Sequence, residues 1–178
     1  EEQSSILLSK GPEKISPLLI PMMIGDMASG CISMRYGAKG PNFGIVTACA
    51  TACHSIGESY WIIKREDADV MICGGAEATI VQIGYAGFCS MRATSQRNSD
   101  PQKASRPFDA ERDGFVMSEG AGVIILEEYE HARKRGAEII AELIGYGATA
   151  DAYHITSPSP DGSGEAKAVK TALSHAVV

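Results

Sequence analysis

The sequence predicts an α/β layered fold in which a mixed sheet carries helices on both faces. Short apolar runs alternate along the chain with longer segments of helical periodicity, a pattern that is typical of this class. Apolar residues make up 44% of the 178 residues and charged residues 21%, which is sufficient for a hydrophobic core. Pro21 and Gly25 interrupt the most apolar stretch, residues 17–27, so the sequence predicts no membrane span.

The first half of the chain is predicted to hold two helices and two strands. Residues 1–16 are polar and are interpreted as a loop or the end of a helix. From Ser16 to Tyr36 the apolar residues recur at helical spacing, and Gly37 provides a C-terminal stop. The elements that follow are a buried strand over 43–46, a helix over 50–65 and a strand over 70–73.

The second half is predicted to hold three helices and three strands. The middle helix begins with acidic residues and ends with basic ones, an order that complements the helix dipole. A polar loop over 94–106 precedes the first of the strands. The predicted helices cover 80–92, 128–135 and 165–177, and the predicted strands cover 115–117, 123–126 and 139–147.

Charge and cysteine content restrict the possible function classes. The net charge of −6 argues against broad contact with nucleic acid or anionic lipid, both of which require a basic face. The five cysteines are odd in number and lack framework spacing, which favours a reducing cytoplasm over a secreted disulfide scaffold. Cys49, Cys53 and His54 lie close together, but no second Cys/His pair follows at zinc-site spacing, so no metal site is predicted.

The most informative stretch, residues 45–57, places Cys49 where the predicted strand meets the predicted helix. A tight turn there exposes the side chain, and the N–H groups and dipole of the helix favour a thiolate and can hold an oxyanion. Small neighbours leave room for a bulky group on the sulfur. This pattern predicts a nucleophile, although a small buried cysteine that packs as a hydrophobe fits the same pattern.

Two polar residues follow Cys49 on the predicted helix. His54 is five residues further on, which turns its side chain away from Cys49, so His54 is interpreted as a packing or surface residue. Cys53 is four residues further on and shares a face with Cys49. It is interpreted as a small packing residue.

A series of blocks runs in order from about residue 15 to the end of the chain. They are TAC at 47–49 with HSIG at 54–57, DADVMICGGAE at 67–77, SRPFD at 105–109, ERDGF at 111–115, EGAG at 119–122, LEEYEHA at 126–132 and DAYHITSP at 151–158. Together they resemble the β-ketoacyl-acyl-carrier-protein synthases, the elongating condensing enzymes of type II fatty acid synthesis. The resemblance implies the thiolase-like fold, a cytoplasmic homodimer and catalysis without a metal or an organic cofactor.

The resemblance also implies roles for particular residues. Cys49 would take an acyl chain from acyl carrier protein as a thioester, and the carbanion formed by decarboxylation of malonyl carrier protein would then attack that thioester. Phe88 would line the acyl pocket, and Phe115 would gate the active-site entrance, although core packing explains either phenylalanine equally well. Arg92 would contact the acidic carrier protein or remain a solvated arginine, and Thr156 would line the pantetheine channel.

The family's two catalytic histidines, in Asn-Ala-His-Gly-Thr and Gly-His-type segments accompanied by a lysine, do not occur in these residues. His154 is therefore interpreted as a loop residue near the substrate entrance and not as the base. Residue 1 is not Met, and residues 1–178 are expected to be part of a synthase N-terminal domain whose start and C-terminal half lie elsewhere. The alternatives are a polyketide ketosynthase, an inactive fragment, and a non-catalytic chain-length partner, against which the presence of Cys49 argues.

Overall fold

A computed structural model describes residues 1–176, which form seven α-helices and two β-strands. The helices are α1 (Glu2–Lys10), α2 (Leu19–Met23), α3 (Met27–Tyr36), α4 (Thr51–Lys64), α5 (Gln82–Ser90), α6 (Tyr129–Lys134) and α7 (Ser163–His175). The strands are β1 (Val70–Glu77) and β2 (Gly120–Glu127). None of the helices in this described part is long and apolar enough to cross a membrane.

The chain divides into two compact units. The first unit contains Glu1–Cys73 together with the chain from Ile125 onward, and it includes α1 to α4, α6 and α7. The second unit, Gly74–Ile124, contains α5 and the loops on either side of it. Cys49 therefore belongs to the first unit.

Strands β1 and β2 pair in a two-stranded sheet. Just outside the strands, Glu128 donates its N–H to the carbonyl of Asp69 at 2.9 Å. At the other end of the pair, a Cβ on Gly74 would lie 2.1 Å from the carbonyl oxygen of Gly122. From the first contact to the second, the residue number rises along β1 and falls along β2, so the strands are antiparallel. The close approach of the two backbones requires glycine at position 74.

Helix α4 is the centre of the first unit, because its face with Gly57, Ser59, Tyr60 and Ile62 is buried. A Cβ on Gly57 would lie 2.2 Å from the ring of Tyr146, so the ring packs directly on the helix backbone. The C-terminal end of helix α7 contacts both α4 and the segment that contains Tyr146. His175 on α7 contacts Trp61 edge-on, with ring centroids 4.9 Å apart, and its Nδ1 lies 2.7 Å from the Tyr146 carbonyl oxygen.

Three of the predicted strands are wrong. Residues 43–46 form no strand, and Val46 is 82% exposed instead of buried. Residues 115–117 contribute only an isolated parallel bridge between Phe115 and Thr94. Residues 139–147 form no strand either. A strand requires a hydrogen-bonded neighbour, and the described chain provides no ladder for any of these segments.

The segment 139–147 still shows the alternation of faces that its sequence predicts. A Cβ added to Gly145 or Gly147 would lie 2.2 or 2.1 Å from a carbonyl oxygen of α7. Tyr146, between them, contacts Gly57 of α4 instead. The segment therefore lies between two helices with successive residues on opposite sides, as strand residues do.

The predicted helices are mostly confirmed, with corrections near the N-terminus. The limits of α4, α5, α6 and α7 fall within two residues of the predicted ones, although the predicted end at Val177 lies outside the described residues. The helix expected over 16–36 is instead the separate helices α2 and α3, which are interrupted at 24–26. The loop or helix end expected over 1–16 contains α1. β2 begins at Gly120, inside the predicted turn 118–122.

We expect the stability of the first unit to depend on pH through Glu127. Arg135 donates from Nε and Nη2 to the two Glu127 oxygens at 2.8 and 2.6 Å, and His131 Nδ1 lies 2.5 Å from the same carboxylate. These hydrogen bonds, that of Arg135 first, lower the pKa of Glu127 from 4.5 to about 2. Because the folded chain favours the ionised form, this stabilisation is complete above pH 4.5 and is lost as the pH falls toward 2.

Thermal unfolding measured between pH 2 and 7 tests this expectation. Glu127→Gln should lower the melting temperature at pH 7 and flatten its decline below pH 4.5. Glu130→Gln is the matched control, because Glu130 pairs with Arg133 on the exposed side of α6 and not with the Glu127 cluster. Parallel declines for the wild type and Glu127→Gln would contradict the assignment.

Candidate active site around Cys49

Cys49 lies in a single 3₁₀ turn, Ala48–Ala50, that leads directly into α4. The N–H groups of Ala50 and Thr51 donate to the carbonyls of Thr47 and Ala48, so the turn and the helix form one helical run. Cys49 is exposed in the first turn of this run, which has no side-chain cap. The predicted position at a helix N-terminus is therefore confirmed, whereas the predicted strand before it is wrong.

The residue before Cys49 has an unusual backbone conformation. Ala48 has φ 49°, in the left-handed region that alanine rarely adopts. Such a residue costs about 1–2 kcal/mol and persists only where its surroundings fix it. The turn that presents Cys49 is therefore strained.

Two contacts from α4 hold Thr47, the residue before Ala48. The Thr47 N–H donates to Thr51 Oγ1 at 2.9 Å, and Thr47 Oγ1 lies 2.7 Å from His54 Nδ1. The interpretation of His54 as a packing or surface residue fits its edge-on contact with Tyr146, and the structure adds that its imidazole binds the turn that carries Cys49. Thr47 lies before the helix and the left-handed Ala48 separates the two, so helical spacing alone does not predict this contact.

Tyr146 supports the other side of His54. The two rings meet edge-on with centroids 6.4 Å apart. Burial raises the pKa of the Tyr146 hydroxyl, and its electrostatic interactions with Glu58 and Cys53 raise this pKa further. Tyr146 therefore remains neutral, and its ring packs against α4 at Gly57 and His54.

Exposure to solvent separates Cys73 from Cys49 but not the other three cysteines. Cys73 is buried in β1 with 5% exposure, and burial raises the pKa of its thiol although a hydrogen bond from Ser59 opposes this effect. Cys31, Cys53 and Cys89 are exposed. Exposure alone therefore does not distinguish Cys49. In residues 1–176, no three His, Cys, Asp or Glu side chains are grouped so that they could hold a metal ion.

Three of the predicted site residues lie together in the second unit. Phe88 in α5 contacts Phe115 edge-on, with ring centroids 5.1 Å apart. The Phe115 N–H donates to Ala93 at 3.0 Å, which attaches the Phe115 segment to the end of α5. Arg92 lies two residues beyond the end of α5, is exposed and has φ 56°. An open apolar groove of about 450 Å³ lies at the start of α5, lined by Ile80, Val81, Gln82, Tyr85 and Ala86 and not by Phe88.

Thr156 lies in a loop of the first unit that His154 organises. The backbone N–H groups of Thr156 and Ser157 both donate to His154 Nδ1 at 3.1 Å. With two donors directed at it, Nδ1 is an acceptor in this loop, which supports the interpretation of His154 as a loop residue. The five predicted site residues thus form two groups: Cys49 and Thr156 in the first unit, and Phe88, Arg92 and Phe115 in the second.

Sequence comparison connects this arrangement to known proteins. The family described as β-ketoacyl synthase, N-terminal domain, matches residues 1–132. The 3-oxoacyl-[acyl-carrier-protein] synthase 2 of Synechocystis sp. is 56% identical over 173 residues, which are 97% of this chain and 42% of that protein. The protein of the same name from Staphylococcus aureus is 53% identical over 170 residues, 96% of this chain and 42% of its own length. The chain thus spans about two fifths of these curated relatives.

Solved structures show the same fold. A ketosynthase solved with its type II polyketide acyl-carrier protein and a hexaketide matches with a TM-score of 0.90 and 36% identity, over 94% of this chain and 41% of that one. A β-ketoacyl synthase from Burkholderia phymatum also gives a TM-score of 0.90 and 36% identity, over 98% of this chain and 42% of that one. The thiolase-like α/β fold is therefore confirmed. The chain belongs to the β-ketoacyl synthase family.

Proposed function

We propose that the protein carrying these residues is a β-ketoacyl-acyl-carrier-protein synthase of type II fatty acid synthesis, with Cys49 as the acylated nucleophile. The position of Cys49 carries the proposal: it is an exposed cysteine, in a strained turn at the start of α4, in a chain of the β-ketoacyl synthase family. The relatives named 3-oxoacyl-[acyl-carrier-protein] synthase 2 support the same activity.

The chemistry at Cys49 has two stages. Its thiolate attacks the carbonyl carbon of the acyl thioester on the carrier protein, the pantetheine thiolate leaves, and the acyl chain remains on the Cys49 sulfur. Malonyl carrier protein then loses CO2, and the resulting carbanion attacks the same carbonyl carbon. The new carbon–carbon bond forms, the bond to the Cys49 sulfur breaks, and the thiolate returns. Covalent capture divides one difficult step into two easier ones.

The remaining site residues are proposed to guide the substrate. The edge-on pair of Phe88 and Phe115 provides an apolar surface, with Phe88 proposed for the acyl pocket and Phe115 for the entrance. Thr156 offers a hydroxyl to the pantetheine arm. Its backbone N–H donates to His154 Nδ1 at 3.1 Å, and its Oγ1 lies 3.5 Å from the same nitrogen, so His154 holds the hydroxyl in place.

Arg92 is proposed to dock the acidic carrier protein. We expect Arg92→Glu to raise the KM for acyl carrier protein about tenfold or more, because it replaces an attractive exposed charge with a repulsive one. The kcat at saturation should change little. Initial rates against carrier-protein concentration, at low and high salt, measure the effect.

Arg133→Glu is the matched control, because Arg133 is also exposed but lies on α6 and pairs with Glu130. It should leave the KM for the carrier protein unchanged. An equal rise in KM for both variants would show a general charge effect and would count against a docking role for Arg92.

We further propose that the protein is a cytoplasmic homodimer. None of the five cysteines, all of which lie in the described residues, forms a disulfide, as suits a reducing compartment. Apolar side chains in and beside α2, namely Leu18, Ile20, Met22 and Met23, are more than 60% exposed. An apolar patch of this kind is typical of an interface. Sizing of the complete protein should therefore give a dimer at micromolar concentration, and monomer alone would contradict the proposal.

A polyketide ketosynthase is the second candidate. The ketosynthase solved with a type II polyketide carrier protein and a hexaketide shares 36% identity with this chain, so the Cys49 arrangement fits that chemistry too. The higher identity to the 3-oxoacyl-[acyl-carrier-protein] synthase 2 proteins, 53–56%, favours fatty acid synthesis.

One assay separates the two candidates. The protein expressed from its complete reading frame is supplied with saturated acyl carrier protein and malonyl carrier protein, and CO2 and products are followed by mass spectrometry. We expect one CO2 for each β-ketoacyl product, which is two carbons longer than the acyl substrate. Repeated extension without β-carbon reduction would indicate the polyketide reaction, and the absence of both products would contradict the proposed function.

A further inference from the structure

We propose that His54 is a positioning residue that fixes the Cys49 turn by holding Thr47. This inference rests on the proposed function, because it gives His54 a role only in relation to the nucleophile. His54 Nδ1 lies 2.7 Å from Thr47 Oγ1, so this nitrogen is engaged with Thr47 and not with the Cys49 sulfur. Its influence on Cys49 passes through the backbone of the turn.

The contacts around Thr47 form a closed bracket, which we define by Thr47, Thr51 and His54. Thr51 accepts the Thr47 N–H, and His54 binds the Thr47 hydroxyl, so two residues of α4 hold one residue before the helix. The left-handed Ala48 and then Cys49 lie inside the bracket. Strained backbone persists where the surrounding structure over-determines it. Opening the bracket therefore lets the turn relax and moves the sulfur.

The position of His54 is itself fixed. Its ring lies edge-on to Tyr146, and the Tyr146 ring packs on the backbone of Gly57, one turn further along α4. The imidazole is thus held between its own helix and the segment that contains Tyr146. Because the His54 side chain is fixed on both sides, it holds Thr47 at a defined position relative to α4.

The chemistry of the contact predicts how it responds to pH. A threonine hydroxyl both donates and accepts. It can donate to a neutral Nδ1 or accept from an Nδ1–H, so the contact survives in either charge state of the imidazole. Removal of His54 should therefore slow the acylation of Cys49 by the same factor at every pH. Loss of a general base would instead slow acylation by a factor that changes with pH.

The test measures acylation of Cys49 by acyl carrier protein, as a single-turnover rate at pH 6 to 9, in the protein expressed from its complete reading frame. The variants are His54→Ala, His54→Asn, Thr47→Val and the double variant His54→Ala with Thr47→Val. Asparagine keeps a polar atom near the position of Nδ1. His131→Ala is the matched control, because it removes an imidazole from α6 and leaves the bracket intact.

We expect His54→Ala and Thr47→Val each to slow acylation about tenfold at every pH, since small displacements of a reacting group have effects of this order. The double variant should be no slower than either single variant, because all three open the same bracket. His54→Asn should recover most of the rate, and His131→Ala should match the wild type. Thr47→Val is nearly isosteric and provides the answer if His54→Ala fails to fold.

Three results would overturn the inference: wild-type acylation in His54→Ala, additive losses in the double variant, or a loss in His54→Ala that changes with pH. Each of these leaves the proposed function standing, because the wild type still acylates Cys49. A wild-type protein that takes no acyl chain on Cys49 would instead contradict the proposed function and, with it, this inference.

Discussion

Cys49→Ala is expected to reduce condensation more than about a thousandfold, because removal of a nucleophile eliminates the covalent route and not merely a binding contact. The acyl chain would have no sulfur to occupy, so both the acyl-enzyme and the β-ketoacyl product should disappear. The measurement is the rate of β-ketoacyl product formation by the protein expressed from its complete reading frame. Mass spectrometry of the protein alone shows whether any acyl adduct remains.

Cys53→Ala is the matched control for this prediction. Cys53 is also exposed and also lies on the first turns of the same helical run, but it is outside the turn Ala48–Ala50. Its removal should leave condensation within about twofold of the wild type, as is usual for an exposed residue without a special role. Condensation that survives Cys49→Ala but fails in Cys53→Ala would transfer the nucleophile to Cys53.

Residues 1–178 expressed alone are expected to make no β-ketoacyl product. The resemblance assigns decarboxylation to two histidines in segments that these residues do not contain. Each histidine would stabilise the negative charge that develops on the malonyl thioester oxygen, and the loss of one such donor costs about 3–4 kcal/mol. Only five apolar side chains are buried in the described chain, so it should also tend to aggregate.

Acylation of Cys49 is expected to persist in this shortened chain, because a helix N-terminus by itself can activate a thiol. The measurement supplies acyl and malonyl carrier protein and follows CO2, extended product and acyl adduct separately. His154→Ala serves as the comparison, since His154 is the histidine in a loop near the proposed substrate channel. Malonyl decarboxylation that is present in residues 1–178 and lost in His154→Ala would overturn the interpretation of His154 as a loop residue.

Helices were predicted well from the sequence because their hydrogen bonds are local. The limits of α4 and α6 follow from residues inside each helix, such as the acidic start and basic end of α6. Strands depend on partners far away in the chain. Residues 43–46 and 139–147 have strand-like sequences, but no part of the described chain forms a ladder with them.

The candidate site shows the same division between local and distant information. The position of Cys49 at the start of α4 follows from small residues and helical periodicity near it. The contact of His54 with Thr47 joins a helix residue to a residue that lies before the helix, across the left-handed Ala48, and helical periodicity does not predict it. The edge-on packing of Tyr146 on His54 joins residues 92 positions apart, and no local pattern predicts it.

The central claim, that Cys49 is the nucleophile, is tested most directly by the alkylation rate of each cysteine in the complete protein. Iodoacetamide is added for a series of times, and peptide mass spectrometry follows modification at Cys31, Cys49, Cys53, Cys73 and Cys89. Cys31, Cys53 and Cys89 are exposed to solvent, as Cys49 is. Their alkylation rates therefore serve as internal controls for the access of the reagent. We predict that Cys49 reacts at least about tenfold faster than any of these. Prior incubation with carrier protein that is loaded with an acyl chain should protect Cys49 alone, because the acyl chain then occupies its sulfur. Equal rates at the exposed cysteines, without protection of Cys49, would contradict the account.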